Sequence, residues 1–427
     1  MDKQLIYNIE HDKIFNTLKF LFYLFPVFIV VGNFLLNSLF VISLLLMIYL
    51  SSRYDCRSIF INKGIIYLSL FFLYLIISSI ISGETYSIIA AIKYLRFYFF
   101  AILIFVLLKI DRKFERYFSL TFVSILILVS IDGIFQYFFN FNLVGIKTII
   151  PHRISGFFGD ELILGSFIAK YLFLFFIYFI VFNKKRTLFM LISVLLIITT
   201  FISGERTAFF SIVLFSILYF IKIFDFKKIL FFFSSILIIV NITIFYDPVI
   251  KDRMIYKTIK DLKILREWKN PKKIQFFTDD HNSHFQSAYL MYKKGDIKNK
   301  LFGRGVKSFR LNCDKKEFCD KTQCCSTHPH NLFFQILSEI GLIGIGIFLY
   351  FYLYLLSNYF KSVKLDSIRK KRLSLYSSLL VCLFPLITSG NIFGSFFSAN
   401  LFFIIPYVIF LEEYDKKDLK NNFIGSK

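Results

Sequence analysis

Long apolar runs alternate with short polar breaks along almost the whole of this 427-residue chain. Each run approaches the roughly 17–25 residues that cross about 30 Å of hydrocarbon as a helix. About twelve such spans are predicted, near 14–31, 34–50, 64–82, 88–108, 118–139, 162–182, 187–203, 208–224, 229–246, 333–357, 374–389 and 395–411. Runs this long and uniformly apolar do not suit barrel strands, whereas a helix satisfies its own backbone groups in lipid. One stretch breaks the rhythm. Residues 247–331 are polar, too long for a turn, and predicted to fold as a small helical cap. Within it Ser283–Lys294 reads as a helix and Gly295 as its stop. The expected organisation is 1–246 with spans 1–9, 247–331 as an extracytoplasmic cap, and 332–427 with spans 10–12 and a cytoplasmic tail. A polar stretch, Met1 to Lys13, precedes the first run and no small-residue cleavage site follows it, so that run reads as a retained span.

Composition agrees. Hydrophobic residues make up 57% of the chain and aromatics 20%, and the mean hydropathy is +0.65. A soluble chain of this length would need more polar surface, so an all-α polytopic membrane protein is expected. The formal net charge of +23 would alone admit nucleic acid as a partner, but its distribution argues against one. Arg53, Arg57 and Lys63 follow span 2, and Lys109, Arg112, Lys113 and Arg116 follow span 4. Lys184–Arg186, Lys222–Lys228, and Lys361, Lys364 and Arg369–Arg372 follow spans 6, 8 and 10. The alternate short loops hold only Lys147, Arg153 and Arg206. This is the positive-inside pattern, and it predicts both termini in the cytoplasm.

Four of the six cysteines, Cys313, Cys319, Cys324 and Cys325, fall in the polar segment. Their clustering fits disulfides in an oxidising compartment such as a periplasm. Three full pairings are open. A vicinal 324–325 bond is strained, which favours pairing each with Cys313 or Cys319. A zinc site with His328 or His330 is the rival, but the spacing lacks the two-plus-two thiolate arrangement of common zinc folds. His281 and His284, three apart, have a spacing that could bind metal but read as surface histidines, and no metal site is expected.

Charges inside spans cost about 2.5–3.5 kcal/mol each on insertion scales, so each asks for a reason. Lys93 and Arg96 share one helix face in the outer half of span 4. Lys170, Asp132 and Glu339 sit at similar depth, where snorkelling or structural pairing also explains them; Glu205 and Arg206 join spans 7 and 8. Two cations away from the basic cytoplasmic side invite an anion, and a lipid-linked diphosphate is the natural one. The loop Arg153-Ile154-Ser155-Gly156-Phe157-Phe158-Gly159-Asp160-Glu161 offers a further cation, with Asp160 and Glu161 as caps for the following helix. Gly303-Arg304-Gly305 lacks the strand–helix context of a nucleotide loop and reads as a turn. His328-Pro329-His330-Asn331 stands where the polar segment re-enters an apolar run, followed by Gly341-Leu342-Ile343-Gly344. A neutral imidazole there suits a general base at neutral pH.

His330-Asn331, nine residues, and Gly341-x-x-Gly344 resemble the motif of the bacterial O-antigen ligase and O-antigen polymerase superfamily. Ser203-Gly204-Glu205-Arg206-Thr207 is similar to its arginine-bearing turn, and the Arg153–Gly159 loop to an earlier loop of its polymerase-like members. The resemblance implies a GT-C-like, metal-independent, cofactor-free glycosyltransferase of lipopolysaccharide biosynthesis in the bacterial inner membrane. It implies an undecaprenyl-diphosphate-linked glycan donor at the periplasmic face. The acceptor would be another glycan (a polymerase) or lipid A–core (a ligase), and a chain-length regulator is a further candidate partner. On this reading His330 is the base and Arg206 the first cation on the leaving diphosphate. Arg153, Lys93, Arg96, Glu205, Asn331 and Glu339 bind donor or glycan, with Asn331 or Glu339 orienting His330. Gly341, Gly344 and Gly346 let span 10 pack closely. The Arg153 loop and the cysteines before His330 favour the polymerase branch. A flippase of lipid-linked glycan would spread cations along the whole transit path, whereas here they gather on one side.

Overall fold

A computed structural model describes residues 3–111, 113–150, 153–183, 185–260, 281–319, 324–361, 367–385 and 387–424, with side chains to 413. Arg112, Lys184 and Lys364 of the basic loops lie outside the described residues, as does His152. The described residues are helical, with two isolated bridges and no strand. The all-α polytopic class therefore stands. The count of twelve is not reached: nine described helices are long and apolar enough to span, or ten if one bent pair is a single span.

The shortfall has local causes. The first predicted run is split into Lys13–Tyr23 and Phe25–Val31, bent by 51°, with Pro26 in the opening turn of the second piece, where its missing N–H costs nothing. Arg186–Ile202 is only 17 residues long. Ser367–Cys382 ends well short of the predicted 389, and residues 383–385 and 387–394 are irregular backbone before Ser395. Pro385 lies in that stretch, and Asn331 Nδ2 donates to the carbonyls of Pro385 (2.8 Å) and Ile387 (3.2 Å). Non-helical backbone inside an apolar region needs such internal partners. The predicted 333–357 span, observed as Leu332–Lys361, is broken at Gly341 (φ 68°, ψ −167°), a conformation reserved for glycine.

The Thr85–Ile110 helix runs through the middle, buried along most of its second half. Phe72, Tyr94, Phe97 and Phe402 pack ring against ring around it. The Phe226–Tyr246 helix is peripheral, burying only Phe232 and Ile236. At the basic end, lysines meet acids: Lys109 pairs with Glu413 at 2.7 Å, and Lys371 and Tyr407 both reach Glu115.

At the other end, the described part of the polar segment contributes short helices and disulfide-bonded loops, referred to below as the cap. The helices Asn282–Lys293, Ile297–Phe302 and Phe309–Asn312 gather Ala288, Met291, Phe309, Cys313 and Phe318 into a small core. Gly295 follows the first of these helices closely, as its sequence predicts. Disulfides join Cys313 to Cys325 and Cys319 to Cys324. The vicinal pair is not formed.

Cap and membrane helices meet backbone to backbone. Gly305 N donates to Glu339 O (2.8 Å) and Arg304 N to Ser338 O (3.2 Å). A Cβ on Gly303 would lie 2.3 Å from Glu339 O, and one on Gly341 would lie 2.5 Å from Gly303 N. Close packing explains Gly341; a Cβ at Gly344 would meet only Ile340 of its own helix, and Gly346 faces open space. Gly303→Ala is expected to cost about 1–3 kcal/mol each for the clash and for its φ of 80°. A markedly lower melting temperature in detergent, or loss of monodisperse protein, is the readout; wild-type melting would contradict the seam.

Candidate active site

His330 ends the disulfide-bonded loop one residue before Asn331, which caps the next helix through Phe334 N to Asn331 Oδ1 (3.2 Å). Its own backbone is left-handed (φ 57°), and its carbonyl accepts from Ser389 N at 2.8 Å. Ser326 Oγ lies 3.3 Å from His330 Nε2 and gives its own hydrogen to His328 O at 2.7 Å. Ser326 can therefore only accept from the ring, which assigns the proton to Nε2 and the lone pair to Nδ1. Neither Asn331 nor Glu339 is seen to touch the His330 ring, contrary to the expected orienting role. Ser326, which carries no sequence signature, holds it instead.

Three more imidazoles crowd His330. Ring centroids lie 4.1 Å away for His328, 4.5 Å for His281 and 5.5 Å for His284. His281 and His284 are half-buried against the base rather than simple surface histidines. Phe285 stacks on Phe334 at 5.4 Å and fixes their helix on the His330 helix. Burial, then the neighbouring imidazoles, pushes the His330 pKa down to about 3; burial foremost takes His328 to about 4. Both rings are neutral at pH 7. Such a value makes a weak base, but its causes are desolvation and the neighbouring imidazoles, and a bound diphosphate would add counter-charge that favours the protonated ring.

Glu339 is fully buried and already committed. It accepts from Lys307 N (3.2 Å), Phe309 N (3.1 Å) and Gln335 Nε2 (3.2 Å). Gln335 also bonds Asn391 Oδ1 (2.7 Å) and Ile392 N (3.1 Å). This knot ties cap, kinked helix and irregular loop together. Asn331 is likewise spent on backbone. Both residues position the chain around His330, and neither offers a free polar atom on the scale the sequence reading assumed.

The Ser203–Arg206 turn shows similar economy. Glu205 accepts from Gly165 N (2.6 Å), Ser166 N (3.0 Å) and Ser166 Oγ. It thereby caps the Leu164–Ile177 helix, the task the sequence assigns to Asp160 and Glu161, which are exposed. Glu205→Ala leaves these donors without their acceptor, and the expected loss is about 1–3 kcal/mol. Thermal unfolding in detergent checks this; an unchanged midpoint would remove the cap role.

Cations gather in two groups. Around the turn, Arg253 Nε donates to Gly204 O at 2.7 Å. Arg153 lies near enough for the Arg253 and Glu205 charges to act on it; burial first, then Arg253, lowers its pKa. Arg153 Nε is buried with no hydrogen-bond partner among the described residues. Gln136 Oε1 anchors its loop, accepting from Ser155 N (2.8 Å) and Gly156 N (2.7 Å), while Asp132 takes Leu143 N (2.8 Å), a structural task. Half-buried Arg206 opens the next helix. Sequence reasoning missed Arg253, which sits in the polar segment without a motif.

In the second group, Lys93 is exposed and Arg96 half-buried against the Phe97 ring at 4.9 Å. The charges of Arg310, Arg96 and Lys93 all bear on Lys307, whose pKa falls through burial first. Arg310 Nη2 reaches Thr327 O at 3.4 Å, beside His328. Lys93 and Arg96 therefore belong with two cap cations, Lys307 and Arg310, which the sequence reading places after the Gly303-Arg304-Gly305 turn, facing the membrane surface.

Threonines link the arginine turn to His330. Thr207, next to Arg206, bonds Thr388 (2.7 Å), and Ser389 bonds His330 O. Beside these threonines lies a cavity of about 140 Å³ whose lining includes Lys170, Thr207, Thr388 and Ser389. Lys170 stands over the Phe396 and Phe397 rings at 4.7 and 4.4 Å.

Residues 191–349 match the model of the family described as O-Antigen ligase. Over these residues the chain is similar to that family, which supports the resemblance to the O-antigen ligase and polymerase superfamily. The match runs from the Arg186–Ile202 helix through the arginine turn, Arg253, the cap and His330 to beyond Gly344. Arg153, Lys93 and Arg96 fall outside it. No curated protein matches the chain. Members of this superfamily are multi-pass membrane proteins of glycosyltransferase type acting on lipid-linked glycans, and the many apolar helices here accord with that.

Proposed function

We propose that this protein transfers glycan from undecaprenyl diphosphate at the periplasmic face of the bacterial inner membrane, as an O-antigen polymerase of the superfamily it resembles. The supporting observation is the linkage of His330, through Ser389 and the Thr388–Thr207 bond, to the turn where Arg206 and Arg253 stand with Arg153 nearby. His330 Nδ1 takes the proton of an acceptor hydroxyl as its oxygen attacks the anomeric carbon. The bond from that carbon to the diphosphate oxygen breaks, and the electron pair leaves with the lipid diphosphate. Arg206, Arg153 and Arg253 meet the charge that develops there. Lys93, Arg96, Lys307 and Arg310 lie on the His328 side and suit the anionic donor or its glycan. Disulfides support the extracytoplasmic orientation, since they persist in oxidising compartments.

No step in this scheme needs a metal, so chelator leaves turnover intact. The matched family's description favours a second reading, a ligase with lipid A–core as acceptor. Purified protein given lipid-linked repeat alone separates the two. Longer lipid-linked chains mean polymerase, and product only after lipid A–core is added means ligase. No product in either case would overturn the enzymatic reading.

A further inference from the structure

Three of the six histidines meet where two elements cross. His281 and His284 lie one turn apart, His281 just before the Asn282–Lys293 helix and His284 within its first turn. His330 faces them from the end of the disulfide-bonded loop. One ring nitrogen from each lies within 4.8 Å of the other two. With Zn–N bonds of about 2.0–2.1 Å, nitrogens at tetrahedral corners stand about 3.3 Å apart. Side-chain rotation of about 1–1.5 Å closes that gap.

We propose that His281, His284 and His330 bind a divalent zinc-class ion, leaving a fourth position for water or an anionic oxygen. Several observations converge. Imidazole suits zinc, copper and nickel rather than magnesium or calcium. The four nearby cysteines are paired in disulfides, so no thiolate competes. His284 Nδ1 is buried with no hydrogen-bond partner among the described residues. Ser326 takes the far N–H of His330, the outer-sphere partner that metal-bound imidazoles usually have. The Phe285–Phe334 stack holds the two ligand-bearing elements together whether or not an ion is bound.

An ion on His330 Nδ1 occupies the lone pair that the transfer reaction needs, so zinc would inhibit; this consequence rests on the base assignment, while binding itself does not. Full-length protein in detergent, stripped with chelator and dialysed, is titrated with zinc chloride. The expected result is about one ion per chain, with a zinc K-edge spectrum showing several imidazole ligands. His281→Ala with His284→Ala should weaken binding roughly tenfold or more, whereas His11→Ala should not. Absent stoichiometric binding, a wild-type spectrum without imidazole scattering, or undiminished affinity in the double variant would overturn the site. The wild-type spectrum decides the matter even if the variant misfolds. Absent zinc binding with transfer intact would count against this proposal alone, and stoichiometric zinc binding by a protein that shows no transfer even when metal-free would count against the enzymatic reading alone.

Discussion

Replacing His330 by asparagine gives an inserted, disulfide-bonded protein that no longer extends or transfers glycan. The choice of residue matters because His330 holds a left-handed backbone (φ 57°). Asparagine tolerates that conformation better than most side chains, so the variant removes the imidazole and spares the turn. Alanine tests the same chemistry with some added backbone strain. Loss of a positioned base costs typically about 10²–10⁴-fold in rate, and the fall should appear in kcat. The neighbours cannot substitute. His328 is buried, with Nδ1 facing Thr327 Oγ1 at 3.0 Å, and His281 and His284 belong to the cap, with ring centroids 4.5 and 5.5 Å from that of His330. Normal product from the asparagine variant would remove His330 as the base.

Arg206→Ala is expected to lower kcat by about 10²–10³, the usual cost of losing one group that stabilises transition-state charge. Arg206→Lys should recover only part of this, because an ammonium restores charge but not the planar fork that grips phosphate oxygens. The fold should survive both changes: the turn is held by Gly204 (φ 70°) and by Glu205 on the neighbouring helix. Donor KM should move less than kcat, since Arg153 and Arg253 remain to bind the diphosphate. Unchanged kinetics in both variants would detach Arg206 from the leaving group.

What the sequence revealed follows a physical divide. Membrane spans are legible because hydrocarbon demands length and apolarity, both written locally. So is the helix from Asn282, with its local stop at Gly295. Residues 383–385 and 387–389 lie in a predicted span yet are not helical; Asn331, some fifty residues earlier, bonds the Pro385 and Ile387 carbonyls, and no window of sequence contains that contact. Glu339 and Asn331 were visible as polar residues in an apolar run, but not that backbone groups would claim them. Arg253 was invisible because an arginine in a polar loop is ordinary until a partner fixes it. His281 and His284 gain meaning only from the 46 positions that separate His284 from His330 folding back on themselves.

The seam between Gly303 and Gly341 carries one more implication. Main chain abuts main chain there, so neither position has a side chain that could be trimmed to make room for growth at the other. Ordinary compensation, a larger residue answered by a smaller neighbour, is unavailable. Variation at the two sites should be locked jointly, and a second-site suppressor of a bulky residue at either one would have to reroute the chain itself.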